Sequence, residues 1–223
     1  MRLIRPILAA FLTIGLLAGG AASQGEMREI GPLMRLFPHW QTYLDLPPED
    51  RSRFTLAYHI SSSQGVPAEE IQIRYAAGEI SGALELDPHG RVLNPPDPAL
   101  MAAAPVATIN QPAGSMAARM AFEARFDDVT RIDPHDAVGA LDQANQAMRR
   151  VGGVAALFAP SFKTLIFVFD GPAPEAWAMR DGLEAAALTV QEDRVIYRPN
   201  DRDMRDVSEI VLGRAPAFIL LDS

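Results

Sequence analysis

The stretch Phe54-Thr55-Leu56-Ala57-Tyr58-His59-Ile60 alternates large apolar side chains with Thr55, Ala57 and His59. Successive strand residues point to opposite faces, so a period of two gives one apolar and one mixed face, the pattern of a half-buried β-strand. Ile71-Gln72-Ile73-Arg74-Tyr75 repeats the period. Leu84 and Leu86, then Asp87-Pro88-His89-Gly90 and Val92, read as a hairpin, because Pro88 presets φ at the second turn position and Gly90 takes the positive φ that closes the loop. His89 falls at the solvated tip. Asn94-Pro95-Pro96-Asp97-Pro98 is a loop, and Val106 to Asn110 is a short strand stopped by Gln111-Pro112-Ala113-Gly114. Met116, Ala118, Met120, Phe122 and Ala124 alternate again and read as strand, although the alanines also suit a helix. Five or six short strands separated by turns are the habit of an antiparallel sandwich.

Downstream the period changes to three and four. Asp133 reads as an N-cap, with Pro134 at the first helical position and Asp136 in the first turn, where carboxylates accept from unpaired amides. Ala137, Val138, Leu141, Ala144, Met148 and Val151 form a stripe, and Gly152-Gly153 stop a helix of about 27 Å that starts near Pro134 and ends near Val151. Thr164 to Phe169 is an unbroken apolar run between Lys163 and Asp170-Gly171, which predicts a central strand covered on both faces. Ala187 to Val190, Val195 to Tyr197, Val207 to Leu212 and Ala217 to Leu221 read as further strands, the last two joined as a hairpin through Gly213-Arg214-Ala215-Pro216.

Upstream, Gly25 to Ile30 reads as a flexible start. Leu33, Leu36, Phe37, Trp40, Tyr43 and Leu44 lie at helical spacing, giving one amphipathic helix or two short turns that Pro47-Pro48 end. Trp40 and Tyr43 could offer a sugar-stacking platform, but at this spacing beside Leu44 they read as core. Arg2 and Arg5, the apolar run Ile7 to Leu17, and the small residues Ala18 to Ser23 have the order of a cleavable secretory signal, cut near Ala22 or Ser23. A bilayer span takes about 20 apolar residues, and this run is shorter. A lipidated leader needs a cysteine, and the chain has none. The expected organisation is a signal peptide over 1–23 and a mature domain over 24–223, with two lobes possible: 24–128, rich in β, and 129–223, a helix plus β. The address is periplasmic or secreted, with no stable membrane span after cleavage.

The same lack of cysteine removes disulfides, thiolate nucleophiles and cysteine-bound zinc. The formal charge is −8 over 223 residues and falls to about −10 when Arg2 and Arg5 leave with the leader, which argues against nucleic acid. No nucleophile elbow, Ser-x-x-Lys, phosphate loop, dinucleotide fingerprint, His-Glu-x-x-His or EF-hand loop is present. Asp127, Asp128, Asp133, His135 and Asp136 cluster at the helix start and carry metal-ligand chemistry, but capping and a solvated turn account for them. His59 would serve as a general base if Glu69 or Glu70 folded beside it; otherwise it is a satisfied strand histidine. Ser61-Ser62-Ser63-Gln64-Gly65 reads as a loop with no nucleophile.

Trp40-Gln41-Thr42-Tyr43-Leu44, Leu46-Pro47, Arg51-Ser52-Arg53-Phe54, the Asp87 to Val92 turn and the terminal Leu212 to Leu221 hairpin together resemble uncharacterised exported proteins of proteobacteria. That resemblance spans most of the mature chain and implies a periplasmic address and a mostly β fold, with no activity to assign to any residue. The overall expectation is an α+β protein, mainly an antiparallel β-sandwich, with one well-capped amphipathic helix and a short N-terminal helical segment. It leans away from an enzyme: no catalytic, cofactor-binding or metal residue and no cofactor is assigned. The partner is an envelope protein or small ligand received at an edge strand or between layers. The alternative is an envelope hydrolase using carboxylates or the His135 neighbourhood, and a passive structural protein is the third class.

Overall fold

The computed structural model describes residues 26–152 and 161–223; the leader segment 1–23 lies outside them. The described chain is α+β and mostly β, with 14 strands in three antiparallel sheets. The first sheet contains β1 (Arg28–Pro32), β3 (Ile73–Ala77), β4 (Ile80–Leu84) and β5 (Val106–Ile109), in the order β1-β5-β3-β4. Two short helices, α1 (Trp40–Leu44) and α2 (Pro98–Ala102), lie in its connections.

The largest sheet has six strands and is built on β2 (Phe54–Ser62) and β6 (Met116–Ala124), which pair from Phe54↔Ala124 to Ser62↔Met116. The two-residue period thus puts Phe54, Leu56, Tyr58 and Ile60 on the face that carries Phe122, and His59 on the face that carries Glu123. β7 (Arg131–Ile132) and α3 (Pro134–Gly152) follow, then β8 (Thr164–Val168), β9 (Ala176–Arg180), β10 (Leu183–Ala187), β11 (Thr189–Gln191), β12 (Arg194–Tyr197), β13 (Glu209–Leu212) and β14 (Phe218–Asp222). The six-stranded order is β11-β12-β8-β14-β6-β2, so the apolar run after Lys163 does become an inner strand. The remaining sheet runs β10-β9-β13-β7.

Helix α3 begins where the sequence places it. Asp133 Oδ1 accepts from the His135 amide at 2.8 Å, and Asp136 pairs with Arg53 at 2.5 Å. The buried stripe is Ala137, Ala140, Leu141, Ala144 and Ala147, while Val138 stays exposed. Small side chains let the helix approach β2 and β6 closely. Gln143 fastens its other flank by accepting from the Arg53 amide at 2.7 Å and donating to the Glu49 carbonyl at 2.6 Å. Leu33–Leu46 forms two short turns, a 3₁₀ turn at Leu33–Leu36 and α1; Trp40 and Tyr43 are buried and stack at 5.2 Å between ring centroids. The Trp40 indole donates to Pro96 O at 2.7 Å, so neither ring is a sugar platform.

Burial also raises the phenol of Tyr58 above its usual range and pushes that of Tyr197 up to about 12, because each ionised form would be desolvated. Tyr58 keeps its proton in a 2.5 Å bond to Pro38 O.

Four local expectations are corrected. The expected flexible start is in part strand β1, which pairs with β5, a partner some 80 positions distant that no local pattern reveals. The Ser61 to Gly65 loop is shorter than expected, because Ser61 and Ser62 extend β2. The expected single strand at Ala187 to Val190 is two: β10 and β11 belong to different sheets, with buried Leu188 at the corner bonded through its amide to Ala176 O at 2.9 Å. The terminal hairpin is also absent. β13 pairs with β9 and β7, while β14 pairs with β8 and β6, so the connection crosses between sheets. Arg214 holds that crossing open by donating to Asp170 O at 2.9 Å and Pro172 O at 2.8 Å.

Candidate functional site

His59 projects from the mixed face of β2, and Glu123 from the same face of β6. A third segment joins them along the outer edge of β2. The Ile60 amide donates to Gly90 O at 2.7 Å and the Val92 amide to Tyr58 O at 2.8 Å, which sets Arg91 opposite His59. Ala57, the small residue between His59 and Thr55 on this face, leaves room for Arg91 to cross β2. Arg91 Nε then donates to Glu123 Oε1 at 3.0 Å and Oε2 at 2.8 Å, and its terminal nitrogen lies 2.7 Å from Oε2.

Glu123 is only 3% exposed, and a buried charge needs such pairing. His59 Nε2 lies 3.1 Å from Glu123 Oε1. An ionised carboxylate only accepts, so Nε2 carries the proton of this bond and Nδ1 is left for another partner.

A second histidine–carboxylate pair stands beside the first. Asp87 Oδ1 accepts from the amides of His89 and Arg91, both at 2.9 Å, which fixes the turn. His89 Nε2 reaches Asp170 Oδ1, just past β8, at 2.8 Å. The expected solvated tip is therefore tied down. Phe218 of β14 sits between the pairs, its ring centroid 5.1 Å from that of His59 and 5.2 Å from that of His89.

The two histidines and Phe218 border a cleft of about 700 Å³ over β8 and β14. Its floor includes Ile166, Phe218 and Leu220, all half-buried; Ile166 stands opposite Leu220, and Phe218 opposite Val168. Its rim carries Arg119, Asp193, Arg194 and Asp222 with the two histidines. A smaller cleft of about 380 Å³, lined by Arg91, Glu123 and Arg125, also touches Phe218. The arrangement can stack a planar or C–H-rich surface on Phe218, donate and accept hydrogen bonds around it, and move a proton through either imidazole.

Of the residues singled out in the sequence, His59 is at this site, whereas the cluster at the start of α3 lies elsewhere. Asp128 accepts from the amide and hydroxyl of Thr130 and from the Arg131 amide; these bonds, Thr130's first, hold its carboxyl below the usual range. Asp133 caps α3, Asp136 pairs with Arg53, and His135 is exposed. Among the described residues no group of three or more His, Asp or Glu side chains is placed to hold a metal ion. Glu69 and Glu70 lie in the 3₁₀ turn Ala68–Glu70, and the carboxylate that meets His59 is Glu123. Sequence reasoning missed Glu123, Asp170 and Phe218. One signal was available for Glu123: a lone acid inside an alternating run, at a position that pairs with the mixed face of β2. Compared with protein families, curated proteins and solved structures, this chain matches none of them.

Proposed function

We propose that the protein is an exported envelope protein that binds a small ligand in the Phe218 cleft without transforming it. The observation that carries this reading is the outer face of the central strands. The sequence from Thr164 to Phe169 is apolar on both faces, as for a strand covered twice. Among the described residues, half-buried Ile166, Leu220 and Phe218 instead floor a cleft of about 700 Å³, within the ~300–1,000 Å³ of small-molecule sites. The fully buried carboxylate nearby supports binding over catalysis, since both Glu123 oxygens are already committed to Arg91 and one to His59. The exported address is supported by the pattern of Arg2, Arg5, Ile7 to Leu17 and Ala18 to Ser23, and by the resemblance to exported proteobacterial proteins.

A second reading, an envelope hydrolase, is favoured by one feature. His59 and His89 border the same cleft, each tied through Nε2 to a carboxylate, an arrangement that orients an imidazole for proton transfer. One experiment separates the two. The tagged, signal-processed protein and its Phe218→Ala variant are recovered from intact cells after mild crosslinking, and retained small molecules are identified by mass spectrometry. Binding predicts a molecule held by the parent and lost from the variant. Recovery of no such molecule, with turnover of an ester, amide or glycoside panel that disappears in His59→Gln or His89→Gln, would replace binding with hydrolysis.

A further inference from the structure

The rim of the cleft limits what can occupy it. Arg119 and Arg194 supply two positive charges, and Asp193 and Asp222 two negative ones. His59 and His89 each face a carboxylate, Glu123 and Asp170, and Glu123 is itself neutralised by Arg91. With the histidines neutral these groups sum to about −1, the excess lying on Asp170, so the site has no net attraction for a strongly anionic ligand, and the chain as a whole, at −8, repels polyanions. What the rim does offer is planar hydrogen-bonding groups of both senses, with Asp193 and Arg194 paired at 3.5 Å. Guanidinium groups only donate and carboxylates only accept, whereas a hydroxyl does both. Vicinal hydroxyls match a rim that offers both donors and acceptors. A fatty acid would match the floor but would bring one unpaired charge to a balanced rim.

Beneath the rim, Phe218 is gripped at its periphery by His59 and His89, tilted at 56° and edge-on at 85°, and it pairs across the sheet with Val168. A held aromatic ring beside aliphatic Ile166 and Leu220 suits the C–H face of a pyranose, which is apolar on its face and polar at its edge. Resting on the binding reading above, we propose that the Phe218 cleft takes a neutral oligosaccharide, stacked on Phe218 and hydrogen-bonded by Arg119, Asp193, Arg194 and Asp222.

The test uses the signal-processed chain and immobilised neutral tetrasaccharides of glucose, mannose and N-acetylglucosamine, with palmitate as the charged amphiphile. The expected result is binding to at least one tetrasaccharide, unchanged from low to high salt and weakened about tenfold or more in Phe218→Ala. Arg119→Ala, an exposed change outside the core, should weaken it severalfold and covers the case in which Phe218→Ala misfolds. Absence of tetrasaccharide binding, or affinity unchanged from the parent in both Arg119→Ala and Phe218→Ala, overturns the proposal. Palmitate binding that Phe218→Ala removes would overturn the oligosaccharide while leaving the binding reading intact. Neither probe binding, with hydrolytic turnover lost in His59→Gln, would overturn both.

Discussion

Glu123 shows how a single buried charge is made tolerable. At 3% exposure a lone carboxylate would cost several kcal/mol, and Arg91 meets that cost with donors to both oxygens while His59 adds a third partner. Arg91 is itself 30% exposed, so water screens the pair in part and its worth falls below that of a fully enclosed one. Glu123→Gln keeps the shape, removes the charge, and turns an amide donor toward the donors of Arg91. The expected loss is roughly 1–3 kcal/mol, read as a lower urea midpoint with an unchanged slope. An unchanged midpoint would mean that the Arg91 crossing of β2 contributes nothing to stability.

At the scale of elements, the Asp87 to Val92 turn shows which parts of the fold are written locally. Pro88 and Gly90 announced the turn, and Gly90 does adopt φ +75°. Its need for glycine is twofold, because a Cβ there would come within 2.0 Å of Ile60 O, a backbone atom of β2 that cannot give way. Gly90→Ala is expected to cost roughly 2–4 kcal/mol and to loosen His89 and Arg91 together. Thermal unfolding would register the cost, and the His89 and His59 ring signals in NMR would shift together; a change confined to His89 would count against the coupling. The strands β2 and β6, the cap at Asp133 and the central place of β8 were legible because each is announced by a pattern local in sequence: an alternating period, a capping side chain or an unbroken apolar run. The pairings of β2, β6 and β8 are themselves long-range. β1, the corner at Leu188 and the crossing after Leu212 were not. Their hydrogen bonds run to Ile109, Ala176, Asp170 and Pro172, partners chosen by the tertiary fold. The candidate site was illegible on the same ground: His59 and His89 stood out, but their partners Glu123 and Asp170 lie 64 and 81 residues away.

For the whole molecule, the question of one mature domain or two lobes divided near residue 128 becomes physical. Buried side chains from both sides of that boundary, Phe54 and Ile73 with Phe167 and Ile219 among them, belong to one contiguous core. The six-stranded sheet is itself mixed in origin: β2 and β6 come from the first part and β8, β12 and β14 from the second, joined where Leu220 stands opposite Glu123. Helix α3, from the second part, rests on β2, β6 and the 3₁₀ turn Pro48–Arg51 of the first, and the Arg150–Asp50 ion pair closes its far end. Unfolding one part would expose the core face of the other, so the two should melt as a unit. The chain carries a reporter on each side: Trp40 is buried against Tyr43 and Tyr58, and Trp177 stands in β9. In Trp40→Phe only Trp177 reports, and in Trp177→Phe only Trp40. After correction for each variant's own stability from far-ultraviolet dichroism, fluorescence and dichroism should give one shared urea transition in both. A fluorescence transition that precedes the dichroism in one variant and trails it in the other would instead make the boundary near residue 128 a division between independently folding lobes.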